Sequence, residues 1–340
     1  MPALHLPVDQ VPVVLAQYPA IGIVRNVTAL LPAELGFSGA QLWRVTADAG
    51  LYCLRRWPPS HPSRARRQFL HNLLTHLGRQ GIDYVPIPLS ARNGGTWVEM
   101  SGQLWELTRW LPGAADFHDA PTTERLTAAV VALARVHRSA ESWQTNAPGI
   151  PPAVTERCDQ VVAWQREGLD ALRKALRTSA GPALDPLATA FLQRAPQCLP
   201  QVAAQLRDAA TNVVPLQPVL RDVWHDHVLF TGDRVSGLID FAAARVDTVA
   251  CDLARLLGSL VPGDAMRQAE ALAAYERLRP LSSVERAFIP CLDHSAVVLG
   301  GLNWLRWIYL ERRTFPDPSR VERRLRHLLD RLQQPLKRVR

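Results

Sequence analysis

Through the first hundred residues apolar and polar positions alternate, and beyond them the spacing turns helical. AQLWRVT (40–46) and LYCLRRW (51–57) read as two short β segments joined by Ala-Asp-Ala-Gly, and GTWVEM (95–100) and QLWELTRW (103–110) as two more joined by Ser101-Gly102. Alternation bounded by a tight, Gly-containing turn marks a hairpin. Between the two hairpins, SRARRQFLHNLLTHLGRQ (63–80) sets Phe69, Leu70, Leu73, Leu74 and Leu77 at helical spacing, with Ser63 as cap. The pattern predicts a twisted antiparallel sheet carrying one helix. After Leu111-Pro112-Gly113 the composition shifts, and helices are predicted over 122–138, 155–178 and 185–207, with a Pro-, Ser- and Asn-rich loop at 141–154. Strand-like segments return over 217–241, and the chain is helical again to residue 335. The expected fold is α+β and two-lobed, with a β-rich lobe over 1–109, an α-rich lobe over 110–340 and a cleft where they meet.

The stretch VLRDVWHDHVLFTGDRVSGLIDF (219–241) carries the chemistry. VLF (228–230) and VSGLI (235–239) are joined by Thr231-Gly232-Asp233-Arg234, so a hairpin sets Asp222 just before it and Asp240 just after it. Both carboxylates then emerge on one side of the cleft. Phosphoryl transfer needs such a pair, one carboxylate to orient or deprotonate the attacking hydroxyl and one to hold a divalent metal across nucleotide phosphates. Read alone, Asp222 is an ordinary turn aspartate. Arg221, His225, Asp226 and His227 make the segment a dense ionisable cluster, which adds Arg221 to Asp222 as a catalytic candidate.

Leu220 to Leu229, IDF (239–241) and DTVACDLARLL (247–257) together resemble the catalytic block of the aminoglycoside phosphotransferase, choline kinase and homoserine kinase-like family. That block runs His-Gly-Asp, a metal-binding Asn five residues on, a hairpin, an Ile-Asp-Phe-like metal motif and a later Tyr-Asp-Leu-Ala helix start. The resemblance implies a protein kinase-like fold and an ATP-dependent phosphotransferase using Mg²⁺ or Mn²⁺ on the hydroxyl of a small molecule. It implies Asp222 as catalytic base, Asp240 and His227 as metal ligands, and Asp252 as brace of the catalytic loop; read alone, Asp252 is the N-cap of the helix that follows. Leu35 to Val45 resembles the family's glycine-rich turn, where Ser38 and Gly39 would offer backbone N–H groups to phosphate. The stretch 103–113 resembles its approach to the hinge, so the backbone of Glu106 to Thr108 would meet the adenine edge. The similarity spans about residues 20–260.

The sequence departs from the family pattern at four points. His227 stands where the family has Asn, and Leu220-Arg221 where it has His-Gly. No lysine precedes Lys174, so Arg55 takes the place of the phosphate-binding lysine. Helix 63–80 has no acidic residue, which leaves Gln68 or His71 to orient Arg55. These departures keep a second reading open, a nucleotide-binding pseudokinase with a regulatory or scaffolding role.

Composition narrows the field. The net charge of +8 comes from arginines scattered singly, which argues against a nucleic-acid face and also against a strongly cationic acceptor. No apolar run reaches the roughly 18 residues that span a bilayer, and the N-terminus lacks the pattern of a secretory signal. Cys53, Cys158, Cys198, Cys251 and Cys291 form no CxxC pair, so a reduced, cytoplasmic protein is expected. The Arg-rich tail 319–340 and the rings of Trp304, Trp307 and Tyr309 read as a solvated helix face and as helix packing.

Overall fold

The computed structural model describes residues 10–31, 39–58, 63–143, 147–178, 184–315 and 317–333. Among these, the first lobe holds an antiparallel sheet of β1 (Val24–Ala29), β2 (Gln41–Ala47), β3 (Gly50–Arg56), β4 (Val98–Met100) and β5 (Gln103–Arg109), in the order β1-β2-β3-β5-β4. β2 and β3 form the first expected hairpin, and β4 and β5 the second. β1 and the short helix α1 (Gln10–Leu15) lack a matching sequence signal, because β1 leaves most of its positions exposed and α1 is under two turns long.

Two-residue periodicity fixes what each sheet face offers. Trp43, Val45, Leu54, Trp105 and Leu107 fall on one face and form a core with Val11, Val14 and Leu15 of α1. The opposite face carries a polar row, since Arg55 pairs with Glu106 and Cys53 with Thr108 across the β3–β5 ladder. That face looks toward α2 (Arg64–Arg79) and the interlobe cleft. α2 is capped by Ser63, whose side chain accepts from Arg66 N–H. Its apolar stripe of Leu70, Leu73, Leu74 and Leu77 joins the core of the second lobe, so the sheet does not carry this helix alone. A helix with one apolar stripe can bury it against only one partner, and the apolar sheet face is already covered.

The second lobe contains α3 (Thr123–Glu141), α4 (Pro152–Ala163), α5 (Leu169–Arg177) and α6 (Asp185–Ala209). There follow β6 (Gln217–Val219), β7 (Val228–Thr231), β8 (Arg234–Leu238) and β9 (Arg245–Asp247), then α7 (Ala250–Leu260), α8 (Ala265–Glu276), α9 (Ser283–Leu305) and α10 (Pro318–Gln333). β6 pairs with β9 and β7 with β8, all antiparallel, so the segment 220–227 is slung between two small ribbons. No helix among the described residues is long and apolar enough to cross a membrane. Trp304 packs edge-on to Trp307, and Tyr309 O–H donates to Asp185, in keeping with helix packing.

Where α9 crosses α6, Gly301 lies against the ring of the buried Phe191, and a Cβ there would overlap that ring. Gly301→Ala is expected to destabilise the fold by about 1–3 kcal/mol through overpacking, read as a lowered Tm and an unchanged denaturant slope.

Candidate active site

The segment leading from β6 to Asp222 is held by a buried carboxylate. Asp252, in the first turn of α7 and fully buried, accepts from the backbone N–H of Leu220 at 2.7 Å and of Arg221 at 2.6 Å. Its Oδ2 also receives His137 Nε2–H at 3.0 Å, and Tyr275 O–H donates to His137 Nδ1 at 2.7 Å. Burial pushes the His137 pKa down, so the ring is neutral and this direction of donation is fixed. Val249, and not Asp252, is the N-cap of α7, so the capping role is replaced by the bracing role.

Arg221 differs from the expectation. Its backbone is left-handed (φ 68°), and its guanidinium pairs with Asp247 and Glu156, while Asp222 turns to Arg255. Arg221 therefore holds the loop to α4 and β9 through these two pairs. Asp226 pairs with Arg320 and His225.

The backbone of Asp222 and the side chain of Asp240 both meet the His227 ring. His227 Nδ1–H donates to the Asp222 carbonyl at 2.7 Å, and His227 Nε2 lies 3.7 Å from Asp240 Oδ2. Because a carbonyl only accepts and an indole N–H only donates, the 3.0 Å bond from Trp224 Nε1 to His227 Nε2 fixes the neutral Nδ1–H tautomer. The lone pair expected to bind a metal is thus engaged by Trp224. The Asp222 side chain is 44% exposed, and its Oδ1 takes both Arg255 Nε (3.0 Å) and Arg255 Nη2 (2.9 Å). Its Oδ2 carries no hydrogen bond among the described residues, and neither does the Asp240 carboxylate, whose residue is also left-handed (φ 60°). No group of three or more His, Cys, Asp or Glu residues that could hold a metal ion occurs among the described residues. Mg²⁺ bound through one or two carboxylates and substrate phosphates needs no such cage, and the free, half-exposed Asp240 carboxylate fits that mode.

Across the cleft, Arg55 lies 3.5 Å from the buried Glu106, and Glu106 accepts from His71 Nε2–H at 2.8 Å. Burial raises the Glu106 pKa, but the His71 hydrogen bond and the Arg55 charge outweigh it and hold the carboxyl below its usual range. An acidic partner for Arg55 thus comes from β5, with His71 of α2 behind it, while Gln68 bonds only Asn72. Arg55, Trp57, His71, Glu106, Thr108 and Phe241 line one cavity. The backbone route to a base is not open at Glu106 to Thr108, because Glu106 and Thr108 pair with β3 and the Leu107 carbonyl accepts from Leu89 N–H at 2.8 Å. It is their side chains that face the cavity. Gly39 is left-handed (φ 74°) with open space where a Cβ would stand; Ser38 lies outside the described residues.

Local pattern gave no sign of the residues that α10 contributes. Arg324 and Arg255 both lie over the Trp224 ring, at 4.6 and 5.2 Å from its centre, and Arg320 reaches Asp226 at 3.3 Å. In the structure Val321, Leu325, Leu328 and Leu332 form a buried stripe of α10, so only its other face is solvated. Burial, then the Arg324 charge, pushes the His327 pKa down to about 4, and burial does the same for His225. Since the unfolded chain takes up these protons first, stability is expected to fall as pH drops from about 6.5 to 4. His327→Asn should flatten that slope in a series of Tm measurements across the window.

The phosphotransferase enzyme family matches residues 29–288 of the chain. A homoserine kinase of Gluconobacter oxydans (strain 621H) is 30% identical over 266 residues, covering 75% of this chain and 77% of the relative. Among solved structures, the spectinomycin phosphotransferase APH(9)-Ia with ADP and spectinomycin superposes with a TM-score of 0.66 at 10% identity, covering 92% of this chain and 93% of that one. An amicoumacin kinase in complex with AMP-PNP and Ca²⁺ gives a TM-score of 0.60 at 15% identity, covering 96% and 94%. The kinase-like fold, the match over most of the chain and the level of identity agree: the chain belongs to the phosphotransferase enzyme family.

Proposed function

We propose that the protein transfers the γ-phosphoryl group of ATP to the hydroxyl of a small molecule, with Asp222 as the base. The observation that carries this reading is the His227 ring, which joins the Asp222 backbone to the neighbourhood of the Asp240 carboxylate, with Phe241 and Ala242 next in the chain lining a cavity whose other wall bears Arg55. Arg255 holds Asp222 by Oδ1 and leaves Oδ2 to take the proton of the acceptor hydroxyl as its oxygen attacks phosphorus and ADP departs. His227, fixed at both ring nitrogens, ties the Asp222 backbone to the loop beside the Asp240 carboxylate. Arg55, kept charged and oriented by Glu106, and the Gly39 turn serve the nucleotide phosphates, and the Glu106 and Thr108 side chains shape the wall. A divalent ion, Mg²⁺ or Mn²⁺, held by Asp240 and the nucleotide, would neutralise the phosphate charge.

The lobes divide this work, nucleotide on 1–109 and acceptor on 110–340. The relatives named homoserine kinase support a small-molecule acceptor, and the five free thiols accord with a reducing cytoplasm.

Asp222→Asn is expected to lower kcat by roughly 10²- to 10⁴-fold with nucleotide binding retained. Asp240→Asn should abolish the metal dependence of nucleotide-induced thermal stabilisation. Full turnover in Asp222→Asn would remove the base from Asp222, and metal-dependent binding without γ-phosphate loss in the native protein would instead support the pseudokinase reading.

A further inference from the structure

The side of Asp222 away from Asp240 is walled by Trp224, by α7 and by α10, and its charges do not balance locally. Three of the arginines there have carboxylate partners. Arg255 is bound to Asp222, Arg320 to Asp226 and Arg331 to Asp293. The remaining one, Arg324, is half-buried, lies 4.6 Å over the Trp224 ring, and has no carboxylate within ion-pair distance among the described residues. Burial and the neighbouring Arg255 charge both press its guanidinium below the usual arginine range. The charges of Asp222 and Asp226 act on it from beyond ion-pair distance and only partly offset this. A half-buried guanidinium without an anion is costly, and a ligand that supplies one is favoured by the same amount that the empty site lacks.

We infer that the acceptor is an anionic alcohol, a hydroxy acid or a sugar phosphate, whose carboxylate or phosphate pairs with Arg324 beside Trp224 while its hydroxyl meets Asp222. This rests on the transfer reading above. Arg324 and Arg255 lie over one indole, and Arg255 holds Asp222, so the anion site and the base are neighbours through a single side chain. A planar guanidinium fork matches either oxyanion with two parallel hydrogen bonds. The same arrangement excludes amino alcohols. The Trp224 ring is already covered by two guanidiniums, which leaves little room for an ammonium, and Asp222 and Asp226 are both paired.

The test is nucleotide consumption by the full-length protein with a panel of hydroxyl compounds sorted by charge into hydroxy acids, sugar phosphates, neutral polyols and amino alcohols. Acceptors are expected only among the two anionic classes, and which of these responds identifies the anion. Arg324→Gln should raise the acceptor KM by roughly 10- to 100-fold, the size of one charge-assisted hydrogen bond, with kcat and the nucleotide KM changed far less. Arg324→Lys should recover part of the loss, and higher salt should raise the KM of the native protein but not of Arg324→Gln. A Tm within a few degrees of the native value would show that both variants fold. Neutral or cationic acceptors, an anionic acceptor whose KM ignores Arg324→Gln, or a loss confined to the nucleotide KM would each overturn the inference and leave phosphoryl transfer standing. A panel without any acceptor in any class would overturn the transfer reading and this inference with it.

Discussion

A single buried carboxylate anchors the loop that carries Asp222. Asp252 accepts from two successive backbone N–H groups, Leu220 on one oxygen and Arg221 on the other, just before Asp222 leaves the loop. Without those donors and His137, the carboxylate would be desolvated and unpaired, at a cost of several kcal/mol. The brace extends outward in layers, since Tyr275 donates to His137, Gln217 donates to the His137 carbonyl, and Arg279 joins Gln217 to Glu141 and Glu285. Asp222 therefore leaves a backbone anchored in the core of the second lobe, although its own side chain is half-exposed.

The left-handed backbone at residue 221 explains the role of the Arg221 side chain. Family members place a glycine there, and an L side chain in that conformation costs on the order of 1–2 kcal/mol. Arg221 offsets this cost with a guanidinium clamped between Asp247 and Glu156, and Asp247 in turn accepts from the N–H groups of Ala153 and Thr248. What reads in sequence as one more ionisable group beside Asp222 is a strut joining α4, β9 and the loop. A similar exchange occurs in the first lobe. Helix α2 supplies no acidic partner for Arg55, yet strand register sets Glu106 directly across from it, and His71 of α2 holds Glu106. The ion pair survives with its carboxylate moved from helix to strand.

Much of this was legible from local pattern. Two-residue alternation gave both hairpins, helical spacing gave α2 and α3, and the Gly turn at 231–234 gave the β7–β8 ribbon with Asp222 before it and Asp240 after it. What stayed hidden follows from two causes. Backbone dihedrals are not written in residue type when a non-glycine adopts a glycine conformation, so the direction of Arg221 was misjudged. Contacts between distant segments leave no periodic trace either, so the approach of Arg324 to Trp224, and of Arg255 to Asp222, could not be read from spacing. The polar row on β3 and β5 lies between these cases, for alternation predicts that Arg55 and Glu106 are cross-strand neighbours once register is known.

The net charge of the chain then acquires a location. Arg55 is matched by Glu106, so on the proposed reading a nucleotide phosphate would meet a cation already held in place and partly neutralised. Around Trp224 the arginines of α7 and α10 outnumber their carboxylates by Arg324. Asp222 has one oxygen held by Arg255 and the other unbonded among the described residues. On the proposed reading such asymmetry would orient an acceptor before chemistry begins, because an anionic group would be drawn to the Arg324 side and only the uncharged hydroxyl end would be left to approach the phosphate.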